Sequence, residues 1–148
     1  MHISSRQLCS VLLALCLYPA SLRGASAMEN AIRAVLEAQR TAWNSGDVDG
    51  YMNGYARGGA TEFISGDKLT RGWKTVRDNY KAKYGTREAM GVLTFSEVNI
   101  QSLGADAALV TGRWSLQRKE NNPHGRFTLI FRQTKDGWRI VHDHTSSA

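Results

Sequence analysis

The chain is 148 residues long, 42% hydrophobic and 22% charged, with a formal net charge of +6. This is a globular composition, and its Lys and Arg residues are scattered instead of forming a basic stripe interleaved with exposed aromatics, so no nucleic-acid partner is expected. Both cysteines, Cys9 and Cys16, lie close to the N-terminus, which removes disulfides, thiolate nucleophiles and thiolate metal sites from anything folded downstream.

Residues 1–27 read as a secretory signal peptide: Arg6 in the n-region, an apolar run over residues 8–20, and Ala25-Ser26-Ala27 as the small-residue cleavage site. The apolar run is shorter than the roughly 20 residues that span a bilayer, so export is expected and no membrane partner after processing. Leu13-Ala14-Leu15-Cys16 resembles a lipoprotein box, but Leu15 is too large for the position before an acylated cysteine. Cleavage after Ala27 leaves residues 28–148 as one domain with a charge of about +4 once Arg6 and Arg23 are gone. A periplasmic or secreted location follows.

Within that domain, Ile32, Val35, Leu36, Ala42 and Trp43 recur at helical spacing, predicting an amphipathic helix over residues 29–44. Gly46 suits the left-handed position after it, and Asp47 can cap a short second helix carrying Tyr51, Met52 and Tyr55. Arg57-Gly58-Gly59 ends that helix. Residues 61–65 and 68–70 read as a short hairpin about Gly66-Asp67, and Trp73, Val76, Tyr80 and Tyr84 mark a third helix. Four extended runs follow, over residues 91–103, 107–118, 126–134 and 138–145, joined by turns rich in Gly, Asn and Asp. Helices first and hairpin-linked strands later predict an α+β domain with an antiparallel meander.

The final run, Gly137-Trp138-Arg139-Ile140-Val141-His142-Asp143-His144-Thr145, mixes strand formers with ionisable groups. Regular alternation puts Trp138, Ile140, His142 and His144 on one face and Arg139, Val141 and Asp143 on the other; a bulge would change the placing of Asp143. The two imidazoles then lie at the mouth of a pocket as acid and base, His142 being the deeper and the first choice for general base. Asp143 reads either as a catalytic carboxylate or as a cross-strand partner of Arg113 or Arg132. Tyr55 or Tyr51 would donate to developing oxyanion charge.

Trp43, Tyr51, Tyr55, Phe63, Tyr80 and Trp114 form a candidate aromatic pocket lining, ordinary core being the plainer alternative. Arg113 is a candidate contact for an acidic ligand group, although a regular strand lets only one of Arg113 and Trp114 face inward. No metal is expected, because two imidazoles need a further ligand and His124 sits in a loop. Gly58-Gly59 makes no dinucleotide fingerprint and no serine nucleophile elbow is present, so no cofactor is expected.

The helix ending Ala42-Trp43-Asn44-Ser45-Gly46-Asp47, the Phe63-Ile64-Ser65-Gly66 strand, the Arg71-Gly72-Trp73 helix entry and residues 137–144 together resemble the nuclear transport factor 2-like superfamily, in its SnoaL-like and ketosteroid-isomerase-like branch. The resemblance covers nearly all of residues 28–148. It implies a cone, in which a strongly curved antiparallel sheet wraps three helices around an apolar cavity, often with dimerisation through the outer sheet face. Relatives in that branch include isomerases that pair a carboxylate base with a tyrosine and a protonated aspartic acid. Tyr51, Tyr55, Asp143 and Glu62 are the residues of matching type here. The function expected is binding of a small, mostly apolar molecule, with cofactor-independent proton transfer as the chemistry if it is an enzyme. A non-catalytic interaction module using the outer sheet face is the alternative. A homodimer is expected through the strands at 107–118 and 126–134, which are apolar on both faces.

Overall fold

A computed structural model describes residues 20–148, with side chains from residue 27 onward. Residues 1–19, including Cys9, Cys16 and most of the expected signal segment, lie outside the described residues. The first helix, α1 (Ala20–Asn44), starts earlier than residue 29 and runs through Ala25-Ser26-Ala27. Alanine and leucine favour helix there, and Gly24 alone does not break it. Ile32, Leu36, Gln39 and Trp43 make its buried stripe, while Glu29 and Arg33 pair at 2.7 Å on the solvent side. No described helix is long and apolar enough to cross a membrane.

Gly46 takes φ +85°, and the Asp47 carboxylate accepts the Gly50 N–H at 2.8 Å to cap α2 (Val48–Met52). Strands β1 (Glu62–Ser65) and β2 (Lys68–Arg71) form the expected hairpin before α3 (Trp73–Lys83). A four-residue helix not anticipated from periodicity, α4 (Arg87–Met90), follows; the Thr86 hydroxyl caps it by accepting the Ala89 N–H at 3.2 Å. One turn is too short to show an apolar period.

The long strands β3 (Val92–Ser102), β4 (Ala107–Gln117), β5 (His124–Thr134) and β6 (Gly137–Thr145) make the antiparallel meander, with β5 starting two residues earlier than expected. The sheet order is β2-β1-β6-β5-β4-β3, and β1 joins β6 in parallel. The result is an α+β domain in which a curved, unclosed six-stranded sheet covers helices from the N-terminal half.

Inside the curve, Ile32, Met52 and Val76 from the helices meet Val110, Phe131 and Ile140 from the sheet, each essentially free of solvent. Burying side chains of this size stabilises the fold by about 1.5–3 kcal/mol each before entropy is counted. Gly112 is required by this packing: a Cβ there would collide with the Phe127 ring.

Two irregularities bend the sheet. In β3 the register slips between Ser96 and Asn99, with Glu97 at φ +52°. In β6, His142 stands opposite Ile130 and Ile140 opposite Phe131, leaving Val141 as an extra, unpaired residue. That bulge overturns the expected regular alternation. Trp138 and Ile140 remain inward, but beyond Val141 the parity is reset, so Asp143 points in and His142 and His144 point out.

Candidate functional site

The curved sheet and the three helices α1, α2 and α3 enclose a cavity of about 590 Å³, inside the range of about 300–1,000 Å³ usual for small-molecule pockets. Its walls are largely aromatic. Trp43 meets Tyr51 edge-on with centroids 5.0 Å apart, Tyr51 and Tyr80 lie 5.5 Å apart, and Phe63 meets Tyr80 at 5.7 Å. Helical spacing delivers these rings from α1, α2 and α3, while Phe63 and Trp114 come from inward positions of β1 and β4. Trp43 spends its indole N–H on the Met90 carbonyl at 3.1 Å and Trp114 on the Ser146 carbonyl at 3.0 Å. Both rings are therefore fixed as wall.

One carboxylate stands in this lining. Asp143 occupies the middle of an inward row across the sheet, with Leu129 and Val110 on one side and Phe63 and Thr70 on the other. It is 3% exposed. The Tyr55 hydroxyl donates to its Oδ2 at 2.6 Å and the Thr145 hydroxyl to its Oδ1 at 2.6 Å. Burial pushes its pKa up to about 6, against the opposing pull of the Thr145 and Tyr55 hydrogen bonds and the weaker one of His142 and His144. Burial likewise drives the Tyr55 and Tyr51 phenols well above their ordinary value, so both are neutral donors at any physiological pH.

Tyr55 reaches Asp143 because the loop after α2 is tied to β6 beside the bulge. The Ala56 N–H donates to the Ile140 carbonyl at 2.8 Å, and the Ile140 N–H to the Gly54 carbonyl at 2.9 Å. The same backbone contact brings Gly54 against Gln39, where a Cβ would strike the side-chain amide. Gln39 in turn donates to the Tyr51 carbonyl at 3.1 Å. Tyr51 and Tyr55 place their hydroxyls 3.5 Å apart. With the Tyr55 proton given to Asp143, Tyr51 is the donor, and the chain runs Tyr51 to Tyr55 to Asp143.

The structure thus brings together Trp43, Tyr51, Tyr55, Phe63, Tyr80, Trp114 and Asp143 at one cavity. It does not bring in the other candidates. His142 lies on the outer face, where its Nδ1 is 3.2 Å from Glu62 Oε2, and Glu62 also accepts from Arg71 at 2.9 Å. The Arg71 and His142 hydrogen bonds hold the Glu62 carboxyl below its ordinary pKa. His144 is exposed on the same face, opposite Thr128 and Ile64. Neither imidazole lines the cavity. Arg113 also faces outward, 3.8 Å from Glu97, leaving the inward position to Trp114. Neither Arg113 nor Arg132 pairs with Asp143; Arg132 pairs with Asp106 at 2.6 Å instead. Among the described residues no three His, Cys, Asp or Glu side chains converge as a metal site would require.

Residues that the sequence did not single out also line the cavity, among them Gln39, Tyr84, Phe95, Phe127 and Thr145. Tyr84, the C-cap of α3, and Gln39, on the inward stripe of α1, were legible from helical spacing. Thr145 was not, because its role depends on the bulge.

Residues 32–148 match the family described as the SnoaL-like domain. Among solved structures, an NTF-2 like protein of unknown function from Shewanella oneidensis MR-1 is 39% identical, with a TM-score of 0.77 over 80% of this chain and 98% of that one. A scytalone dehydratase by name, from Novosphingobium aromaticivorans, is 9% identical with a TM-score of 0.72 over 86% and 88% of the two chains. An NTF2-like superfamily protein from Salmonella enterica is 22% identical with a TM-score of 0.62 over 86% and 92%. The last two likenesses concern the fold alone. No curated protein matches the chain.

Proposed function

The chain belongs to the SnoaL-like family of the NTF2-like superfamily, and from that premise we propose that it binds a small, mostly apolar molecule in its cavity and moves a proton on it with Asp143 as the base. The observation that carries the reading is a carboxylate 3% exposed, with a pKa raised to about 6, at an aromatic wall. Such a group is roughly nine-tenths ionised at pH 7 yet holds a proton far better than an ordinary aspartate, as a general base working near neutrality needs.

Tyr55 and Thr145 each occupy one lone-pair direction of the carboxylate, and each oxygen keeps another for an incoming donor. In this reading Asp143 takes a proton from a carbon or oxygen of the bound molecule. The electron pair left behind moves onto a substrate oxygen, which a tyrosine hydroxyl stabilises, and Asp143 returns the proton elsewhere to complete an isomerisation, or to a departing hydroxyl in a dehydration. The Tyr51 hydroxyl is placed for the stabilising donation, since its bond to Tyr55 at 3.5 Å is long and little is lost in redirecting it. A mass-spectrometric search for small molecules co-purifying with the protein, followed by assay of the recovered compound, tests this. A folded Asp143→Asn variant that turns it over at the parent rate would remove the base.

Association through the outer sheet face is a separate reading. What supports it is that Leu109 and Ile130 are adjacent and only half-buried on that face, with Leu69 at the hairpin edge 43% exposed. Sedimentation at micromolar concentration should show a homodimer, and monomer alone would overturn it. Export is proposed from residues 1–27, and N-terminal sequencing of protein recovered outside the cytoplasm should begin at Met28.

A further inference from the structure

We infer that the molecule taken into the cavity is an organic acid: an apolar body that lies against the aromatic wall, with an anionic group held at the mouth by Lys68 and Lys83. This rests on the proposal that the cavity binds a small molecule, and adds which chemical class it takes. Apart from Ala82, the exposed part of the lining is polar, made by Ser65 and Lys68 of the hairpin, Asn79 and Lys83 of α3, and Ser147 after β6. Its ionic groups are of one sign. Lys68 and Lys83 both line the cavity, and neither is within ion-pair distance of a carboxylate among the described residues. Other lysines of α3 behave differently, since Lys74 is taken by Asp78 at 2.7 Å and Lys81 by Asp49 at 2.6 Å. Lys83 is held near the Tyr84 ring, its Nζ 5.2 Å from the centroid. The Arg118 guanidinium approaches the same ring at 5.8 Å with a buried Nε that has no partner among the described residues, adding positive potential.

Cations left unpaired beside a low-dielectric opening attract anions more strongly than they would on an open surface. The charge pattern also sets the direction of entry. Asp143 is the carboxylate of the lining, and an anionic group driven in beside it would meet like charge in a poorly solvated place. The acid end therefore stays at the mouth. Lys68 lies two strands across the sheet and two residues along from Asp143, about 12 Å between Cα atoms by ordinary strand spacing. A body of one or two rings bridges that distance once the lysine side chain reaches inward.

The test uses the full domain and N-phenyl-1-naphthylamine, a neutral fluorescent probe, displaced by 4-(1-naphthyl)butanoic acid or by its primary amide. The acid should displace the probe at least fivefold more effectively than the amide in low salt, and that ratio should shrink in 0.5 M NaCl. Lys68→Gln and Lys83→Gln keep most of the aliphatic stem; each should weaken the acid about threefold and together about tenfold, while the amide is unchanged. Equal displacement by acid and amide, with the probe binding normally, would overturn the acid class and leave the cavity reading standing. If the probe gives no fluorescence gain that a cavity-filling Tyr51→Trp variant abolishes, both readings fall.

Discussion

On the concave side of β6 a carboxylate, Asp143, is 3% exposed, hydrogen-bonded by two hydroxyls and raised to a pKa of about 6. On the convex side its neighbour His142 keeps 32% of its side chain exposed and meets Glu62, which Arg71 also engages. The two residues are adjacent in sequence, yet one is buried in the cavity wall, where we propose that it exchanges protons with a bound molecule, and the other belongs to a solvated ion cluster. Low dielectric is what separates them, because it magnifies each interaction of the buried group and screening mutes those of the exposed one. A titratable residue type therefore says less about chemistry than the face on which it lands.

The most direct way to break that contrast is on the concave side. With a substrate recovered by co-purification, Asp143→Asn should lower turnover about 10² to 10⁴-fold, the usual worth of a general base. Displacement assays with a neutral apolar probe should show its binding unchanged.

The same substitution sharpens the contrast in stability. The Asp143 carboxyl moves from its ordinary 3.8 to about 6 on folding, so between these values the folded chain holds more protons than the unfolded one. The favourable contribution is present below about pH 4 and is lost as pH rises through 6. Urea denaturation across pH should show Asp143→Asn gaining about 3 kcal/mol on the parent between pH 3 and pH 7, since the gap between the two pKa values is worth about 1.36 kcal/mol per pH unit.

Tyr55→Phe removes a donor that favours the ionised carboxylate. The apparent pKa on the acid limb of the pH–rate profile should rise, and turnover at pH 6 should fall about tenfold, the worth of one hydrogen bond to a charged group. A limb that stays in place would show that Tyr55 does not act through Asp143.

The smallest effect is expected on the convex side. His142→Ala should leave turnover within about twofold, well under the loss a general base would give. A hundredfold loss would return His142 to the chemistry and make the bulge irrelevant to the site.

How much of this was legible in the chain itself can be read from particular residues. Trp43, Tyr51 and Tyr80 stand on helical stripes whose period is local, and Gly46 with Asp47 marks a helix stop and restart in consecutive residues. Those features, the order of helices and strands, and the family likeness were determined by the sequence, because each depends on side chains a few positions apart. The inward place of Asp143 and the outward places of His142, His144 and Arg113 were decided only in the folded sheet. Val141 is an ordinary strand residue, and nothing near it announces that it will be left unpaired between Ile140 and His142. That register is set where β6 is held between β5 and the chain at Gly54–Ala56 and β1, some 80 residues away. Local propensity is almost indifferent to one extra residue in a strand, but a period of two turns that residue into a reversal of every side chain beyond it.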